Sequence, residues 1–281
     1  AHLLATDADY RTAYERVFGP LPDLHDTLRF PPAGRPVPRD PDHPHAVAWA
    51  SKTAADQAAV NDVYVHAGKA LAAFERRLVS RRAPFDVFVE GLADGDSDKL
   101  AALTPAAQRG FGLFVGRGQC LFCHDGPNFT DGEFHGNRVP SQGIDMGRAK
   151  GIRELLADPF NLRSPYADDG GRAGRTKLSI QPKQPHVPGD FKTPSLRNVT
   201  RTAPYMHQGQ FATLDAVLEF YSTLEGAAPP DPTGEQLIQP RQLSPAEKSD
   251  LLAFLGALED EAIPAALHGP PASLDPADDS P

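Results

Sequence analysis

The sequence contains little sulfur, with only two cysteines and two methionines in 281 residues. A framework of several disulfides is therefore excluded, because two cysteines form one bridge at most. Long apolar runs are also missing, and a chain without about 18 consecutive apolar residues is not expected to span a membrane. The formal net charge is −9, and the sequence has no stripe of Lys or Arg that could bind a phosphate backbone. Both features argue against a nucleic-acid partner.

Proline and glycine are plentiful, with 29 and 24 residues, and they concentrate around 19–45, 125–194 and 227–240. Such clusters predict long loops between helices. Alternating apolar and polar residues, the pattern of a half-buried strand, are scarce throughout. The sequence therefore predicts a mainly α fold with long Pro/Gly-rich loops.

Hydrophobic periodicity predicts five or six helices and no convincing sheet. Two lie at about 5–18 and 54–79. A third is opened by Thr104 as N-cap, a fourth by Thr213, and the last by the capping box that starts at Ser244. Each of two helices is expected to bury one apolar face. In the 54–79 helix this face is Val63, Ala67, Ala70, Leu71, Phe74 and Leu78. In the last helix it is Leu251, Leu252, Phe254, Leu255 and Leu258.

Both cysteines fall in one motif, Cys120-x-x-Cys123-His124, within the stretch GQCLFCHDGPNFTDGEFH. A thioredoxin-like redox pair would need a βαβ pattern, which is absent. A structural zinc site would need two further ligands from distant histidines. Attachment of a c-type haem uses both thiols for the vinyl groups and the adjoining histidine as an iron ligand. The five-residue motif is short, and its neighbours must decide between these chemistries.

A histidine-ligated haem iron is either open on its other side or filled by the protein. Met146, Met206 and Tyr221 are the candidate ligands on that side. A Met ligand suits electron transfer, whereas anionic oxygen from Tyr favours ferric and higher iron states. Spacing alone favours a plain core role for Tyr221, which completes a helical stripe with Leu214, Val217 and Leu218.

From Phe191 onward the sequence reads FKTPSLRNVTRTAPYMHQGQFATLDAVLEFY. This stretch resembles the C-terminal half of the bacterial dihaem cytochrome c peroxidase/MauG family. Agreement continues upstream in RGFGLFVGRGQCLFCHDGPNFTDGEFH, AGKALAAFERRLVSRRAPFDVF and DADYRTAYERVFG. The segment MGRAKGIRELLADPFNLRSPYADD looks most like the MbnH-type branch, whose members oxidise a tryptophan on a secreted copper-binding protein of the MbnP type.

The resemblance implies a role for each motif residue. Cys120 and Cys123 match the haem-anchoring cysteines, and His124 matches the proximal ligand. Tyr221 stands where the peroxidases have a distal Met and where MauG and MbnH-like proteins have Tyr. The resemblance therefore favours Tyr221 as an axial ligand, whereas spacing alone favours it as a core residue. The family's calcium ion takes backbone oxygens from residues matching Thr202 and Pro204.

Three further residues are implied near the haem. Arg197 and Asn198 match family residues near this group, where a cation pairs with a propionate; helix-end or turn chemistry is the alternative. His207 faces either a propionate or only its own loop. Among the other histidines, His135 is the one to examine, because it closely follows the haem motif.

The family carries two CxxCH motifs, and this sequence has one. The resemblance implies that the first motif and the acidic residue of the open haem pocket precede Ala1, so the chain is expected to be the C-terminal part of a longer polypeptide. The expected organisation is a helical segment at 1–100, a c-type cytochrome haem domain at 101–265, and a flexible tail at 266–281.

The function implied is that of a periplasmic haem-c oxidoreductase. It would use hydrogen peroxide, with a second haem outside this sequence, to oxidise a tryptophan on a partner protein. The haem held by His124 and Tyr221 would be saturated and would store an oxidising equivalent. The alternative is a mono-haem electron-transfer cytochrome with Met206 or Tyr221 as distal ligand, and a remnant without haem is a third possibility.

Overall fold

The structure is a computed structural model that describes residues 1–80, 82–172, 174–175, 189–230, 237–260 and 267. The chain divides into two compact units, one comprising residues 1–79 and 264–281 and the other residues 80–263. The boundary between the two units follows Val79, and the expected division at residue 100 stays a prediction. The tail expected at 266–281 lies outside the described residues, apart from Leu267.

The first unit contains four helices among its described residues: α1 (His2–Thr6), α2 (Ala8–Phe18), α3 (Pro44–Ala50) and α4 (Ala54–Glu75). The Asp7 carboxylate accepts hydrogen bonds from two backbone N–H groups at the start of α2, and the Thr53 hydroxyl accepts one from Asp56 at the start of α4. The helices predicted at 5–18 and 54–79 are thus confirmed with shorter bounds.

The face of α4 expected to be buried is only partly so. Val63 is 2% exposed, whereas Leu71 and Phe74 are 64% and 42% exposed, and Leu78 beyond the helix end is 40% exposed. The periodicity is helical, but within the described part of the first unit no second layer packs over the C-terminal half of this face. The prediction of a continuous buried stripe was wrong for this reason.

The second unit contains six helices and one small sheet among its described residues. The helices are α5 (Pro84–Asp94), α6 (Ser97–Leu100), α7 (Pro105–Val115), α8 (Arg148–Ala157), α9 (Leu214–Thr223) and α10 (Pro245–Gly256). Strands β1 (Phe134–Gly136) and β2 (Asp190–Lys192) pair antiparallel, with His135 opposite Phe191. The mainly α fold is confirmed, but the described residues hold ten helices where five or six were predicted.

The missed elements are α1, α3, α5, α6, α8 and the two strands. Most of them are short, but α5 is not: it has 11 residues with Phe85, Phe88, Val89 and Leu92 at helical spacing, a signal that the sequence-based prediction overlooked. A three-residue strand is specified by its distant partner and leaves almost no local signal. None of the described helices combines the length and the apolar character that a bilayer crossing requires.

The core of the second unit lies between α7 and α10. Phe114 and Phe254 are 2% and 0% exposed, and their ring centroids are 5.1 Å apart. The Thr104 hydroxyl caps α7, and Ser244 and Glu247 form the predicted capping box of α10. The predicted apolar face of α10 is confirmed, since Leu251, Leu255 and Leu258 are also buried.

Close approach of α7 and α10 depends on Gly110. A Cβ atom at this position would lie 2.0 Å from the carbonyl oxygen of Asp250 and 2.8 Å from Cβ of Phe254. We expect Gly110→Ala to lower the free energy of unfolding by about 1–3 kcal/mol, because the helices must move apart. Denaturant-induced unfolding measures this change.

Gly112 in the same helix provides the matched control, because a Cβ atom there meets nothing within 4 Å. Gly112→Ala should raise the free energy of unfolding by about 0.5–1 kcal/mol, since alanine loses less backbone entropy in a helix. Equal stability of the two variants would contradict the proposed contact.

Candidate functional site

The CxxCH motif is delivered to the core by the end of α7. After Val115 the chain turns through Gly118, whose carbonyl lies 3.6 Å from the Sγ of Cys120. Cys120–Phe122 form a 3-10 turn, and the backbone N–H of His124 donates to the Cys120 carbonyl at 2.9 Å. The turn therefore places both thiols and the imidazole within one compact loop.

His124 has one ring nitrogen committed to the protein. Its Nδ1 lies 2.9 Å from the carbonyl oxygen of Phe129, and a carbonyl only accepts, so Nδ1 carries the proton. Burial lowers the pKa of His124, although the bond to Phe129, the charge of Asp131 and the backbone of Pro194 act in the opposite direction. The result is a neutral imidazole whose Nε2 carries the lone pair. This tautomer and this type of partner are those of a metal-ligating histidine.

His124 lines a cavity of about 390 Å3 in the second unit. Cys120 lines the same cavity, and most of the remaining wall is apolar, including Leu214, Val217, Leu218, Leu251 and Leu255. The volume falls within the ~300–1,000 Å3 typical of cofactor pockets. An apolar cavity with a neutral imidazole and a thiol at its wall fits a haem attached through this motif.

The two thiols have different surroundings. Burial raises the pKa of Cys120 to about 11, so this group is a neutral thiol at physiological pH. The ligand atoms of Cys123, Asp131 and His135 lie within 4.8 Å of one another, and His135 Nε2 is 2.7 Å from Asp131 Oδ2. His135 was the histidine to examine, and the fold brings it beside Cys123. The zinc hypothesis thus finds three potential ligands, of which Asp131 had no sequence signal.

Both leading candidates for the second axial ligand line the cavity. Tyr221 on α9 is half-buried there. Met206, whose backbone φ is 71°, also lines the cavity wall. Burial, reinforced by the thiols of Cys123 and Cys120, raises the pKa of Tyr221. Its phenol therefore stays protonated at neutral pH unless a metal ion displaces the proton. The assignment of Tyr221 over Met206 stays a prediction.

His207 also lines the cavity. Its ring stacks on Phe191 at a centroid distance of 3.7 Å, and its Nε2 lies 3.0 Å from Ser141 Oγ and 3.1 Å from Gln210 Nε2. Its buried Nδ1 has no hydrogen-bond partner among the described residues. The position agrees with the predicted role beside a haem propionate, which stays a prediction.

Arg197 is placed differently from the expectation. It is not among the residues lining the cavity, and its guanidinium donates to both carboxylate oxygens of Asp86 at 2.8 and 2.7 Å. Asn198 has φ of 58° at the start of the 3-10 turn Val199–Arg201, and its Oδ1 accepts from the backbone N–H of Asp260 at 2.8 Å. The role of Arg197 beside a haem propionate stays a prediction.

Thr202 and Pro204, the residues predicted to offer backbone oxygens to calcium, both line the cavity. Thr202 is exposed, and its hydroxyl donates to the Val199 carbonyl at 3.1 Å. The calcium assignment stays a prediction.

The mainly helical unit, its CxxCH turn and its apolar cavity define a c-type haem protein class. The chain is 37% identical over 201 residues to cytochrome-c peroxidase IdrP1 of Denitromonas iodatirespirans, covering 67% of this chain and 48% of that protein. It is 37% identical over 205 residues to the methylamine utilization protein MauG of Methylorubrum extorquens, covering 73% and 46%. The chain belongs to the cytochrome c peroxidase/MauG family.

Further comparisons concern family models and solved structures. No protein-family model matches the chain. A solved MauG-like protein associated with microbial copper homeostasis aligns with 95% of this chain and 63% of its own, at 25% identity and a TM-score of 0.49. The chain spans about half the length of the curated relatives it matches.

Proposed function

We propose that this chain holds one covalent haem c and forms the electron-storing part of a MauG-like dihaem peroxidase. One observation carries the proposal: His124 donates from Nδ1 to Phe129 and lines an apolar cavity together with Cys120 of the same motif. This arrangement leaves Nε2 available for iron. When bound, the haem supplies an iron centre that accepts and releases single electrons.

The chain's own residues hold and tune this group. Cys120 and Cys123 would supply the sulfurs for the two thioether links to the haem vinyl groups. His124 is the proximal ligand, oriented by the Phe129 carbonyl. His207 lies where it can bind a propionate. The apolar wall excludes water, so the charge of the bound iron would be balanced by its protein ligands and not by solvent.

Tyr221 is proposed as the distal ligand. Its position on the cavity wall and the resemblance of its sequence context to MauG-type proteins support this role. Since burial raises the pKa of the phenol, the oxygen becomes an anion only when the metal takes the proton's place. An iron held by both His124 and Tyr221 has no vacant position for peroxide.

The reaction of the whole protein is proposed from the family resemblance. A second haem outside these 281 residues would supply the peroxide-reactive centre, and the protein would use the two centres to oxidise a tryptophan on a partner protein. The partner is of the copper-binding MbnP type, because the segment 146–169 resembles the MbnH branch. Calcium held through the backbone of Thr202 and Pro204 completes the site. Covalent haem attachment in bacteria takes place outside the cytoplasm, so the proposed location is the periplasm.

The second candidate is a mono-haem electron-transfer cytochrome without catalysis. The observation that favours it is the presence of Met206 on the cavity wall beside Tyr221. A thioether ligand would raise the reduction potential and suit electron transfer.

Mass spectrometry of the chain matured in a bacterial periplasm tests the proposal. We expect the intact mass to increase by one haem, because a single CxxCH is present. The haem-loaded chain by itself should show no peroxide turnover above that of buffer alone, since both axial positions are filled. A mass without haem would refute the proposed cofactor, and peroxide turnover by this chain alone would refute the saturated iron.

A further inference from the structure

The carbonyl that orients His124 belongs to a residue in a demanding backbone conformation. Phe129 has φ of 51°, a region that bulky side chains rarely adopt. Its ring is 5% exposed and packs against Phe85, Phe114 and Phe254. Such a conformation persists only where the surroundings impose it. The direction of the Phe129 carbonyl therefore depends on whatever holds this loop.

Three hydrogen bonds join the loop to the segment that follows β2. Arg197 Nε donates to the Pro127 carbonyl at 2.8 Å, and Ser195 Oγ donates to the Asn128 carbonyl at 2.6 Å. Thr130 Oγ1 donates in the other direction, to the Thr193 carbonyl at 2.7 Å. The contacts flank Phe129 on both sides and leave its carbonyl for His124.

Arg197 is in turn held by α5. Its Nη1 and Nη2 donate to Asp86 Oδ2 and Oδ1, and Asp86 Oδ2 also accepts from the Ala83 backbone N–H at 2.9 Å. The side chain of Arg197 is 10% exposed and that of Asp86 is 21% exposed. The Arg197 Cζ lies 5.6 Å from the centroid of the Phe129 ring. A guanidinium forked onto one carboxylate and donating Nε elsewhere has a fixed plane.

We infer that Asp86 and Arg197 act as positioning residues for His124. The pair fixes the loop at Pro127, and the loop holds the Phe129 carbonyl against His124 Nδ1. A hydrogen bond donated by this nitrogen increases the basicity of the ligating imidazole, which stabilises ferric over ferrous iron and lowers the reduction potential. The inference rests on the proposed ligation of haem iron by His124.

The test uses the haem-loaded chain with both partners made neutral, Asp86→Asn with Arg197→Gln. The net charge of the pair is zero before and after, so the direct electrostatic effect on the haem is cancelled to first order. We expect the reduction potential to rise and the Nδ1 proton of His124, followed by NMR, to exchange about tenfold faster, as loss of roughly 1.4 kcal/mol of hydrogen bonding predicts.

Arg109→Gln with Asp250→Asn is the matched control, because this pair is also bidentate, at 2.8 and 2.7 Å, and does not touch the loop. It should leave the potential and the exchange rate unchanged. Ser195→Ala is a milder variant. It removes the bond to the Asn128 carbonyl and the bond that Ser195 Oγ accepts from the Arg197 backbone N–H at 3.1 Å, but keeps the Asp86–Arg197 ion pair, and it should shift both values in the same direction by less.

Haem content is measured first in every variant. A parent chain without covalent haem would refute the proposed cofactor and not the positioning role alone. If the haem is attached and the neutral Asp86/Arg197 variant keeps the parent's potential and exchange rate, the inference is overturned. A fall in potential would overturn it as well.

Discussion

Replacing Cys120 and Cys123 together with alanine is expected to abolish covalent haem, from one haem per chain to none. These are the only thiols in the sequence, so no other side chain can form the thioether links. Acid–acetone extraction followed by intact mass measurement distinguishes attached from dissociable haem. Each single alanine variant should retain one link, and its pyridine haemochrome spectrum should show one unreacted vinyl group.

His135→Gln is the control for this experiment. It removes the imidazole that contacts Asp131, and with it one of the three potential metal ligands Cys123, Asp131 and His135. It removes neither thiol. Haem content should equal that of the parent chain. Parent protein that contains zinc and no haem, with the zinc lost in His135→Gln, would contradict the haem site and support the zinc hypothesis.

Tyr221→Phe is expected to change the iron centre most among single substitutions on the cavity wall outside the CxxCH motif. The variant keeps the ring and removes only the phenol oxygen, so the fold should be retained. Loss of an anionic ligand destabilises ferric iron, and we expect the reduction potential to rise on the order of 0.1 V, within the ~0.8 V span set by axial ligands. Absorption and electron paramagnetic resonance spectra should show a vacant or replaced sixth position.

Met206→Leu is the matched control for Tyr221→Phe, because both residues line the same cavity. It should leave the spectra and the potential unchanged. A Tyr221→Phe protein with the parent's spectrum would exclude phenolate ligation. If Met206→Leu alone changed the spectrum, the centre would be a His/Met haem and the mono-haem cytochrome would become the better description.

The burial of Tyr221 affects its phenol in two opposite ways. Without a metal ion the phenol is neutral at physiological pH, because its pKa is raised by desolvation. The same burial leaves a bound phenolate without competing water. The phenol is thus a poor acid on its own but a strong ligand when a cation is present. Deprotonation of Tyr221 by metal binding does not require a neighbouring base residue.

The helices were predictable where their signals are local. Thr104, Thr213 and Ser244 cap helices as expected, since each hydroxyl meets a backbone N–H three residues along the chain. The outward exposure of Leu71 was not predictable, because a periodic apolar face does not state whether another element covers it. The strand pair β1–β2 was missed for the related reason that its hydrogen bonds join distant residues.

The site divides in the same way. The motif residues Cys120 and His124 both line the cavity, because they are joined by a single tight turn. Arg197 was expected beside a propionate, but the fold places Asp86 of α5 against its guanidinium. No pattern in the sequence relates these two positions, and a buried guanidinium binds whichever carboxylate packing brings into reach.

What the sequence alone determined is the chemistry available: one CxxCH motif, the capped helices, and Met206 and Tyr221 as the distal candidates. Tertiary structure alone decided which groups meet, including the Phe129 carbonyl that orients His124, the Asp131–His135 pair beside Cys123, and the partner of Arg197. The physical reason is the separation in sequence between the residues that interact. Caps and tight turns are made by neighbours in the chain, whereas hydrogen bonds and ion pairs between separate elements exist only after packing has brought them together.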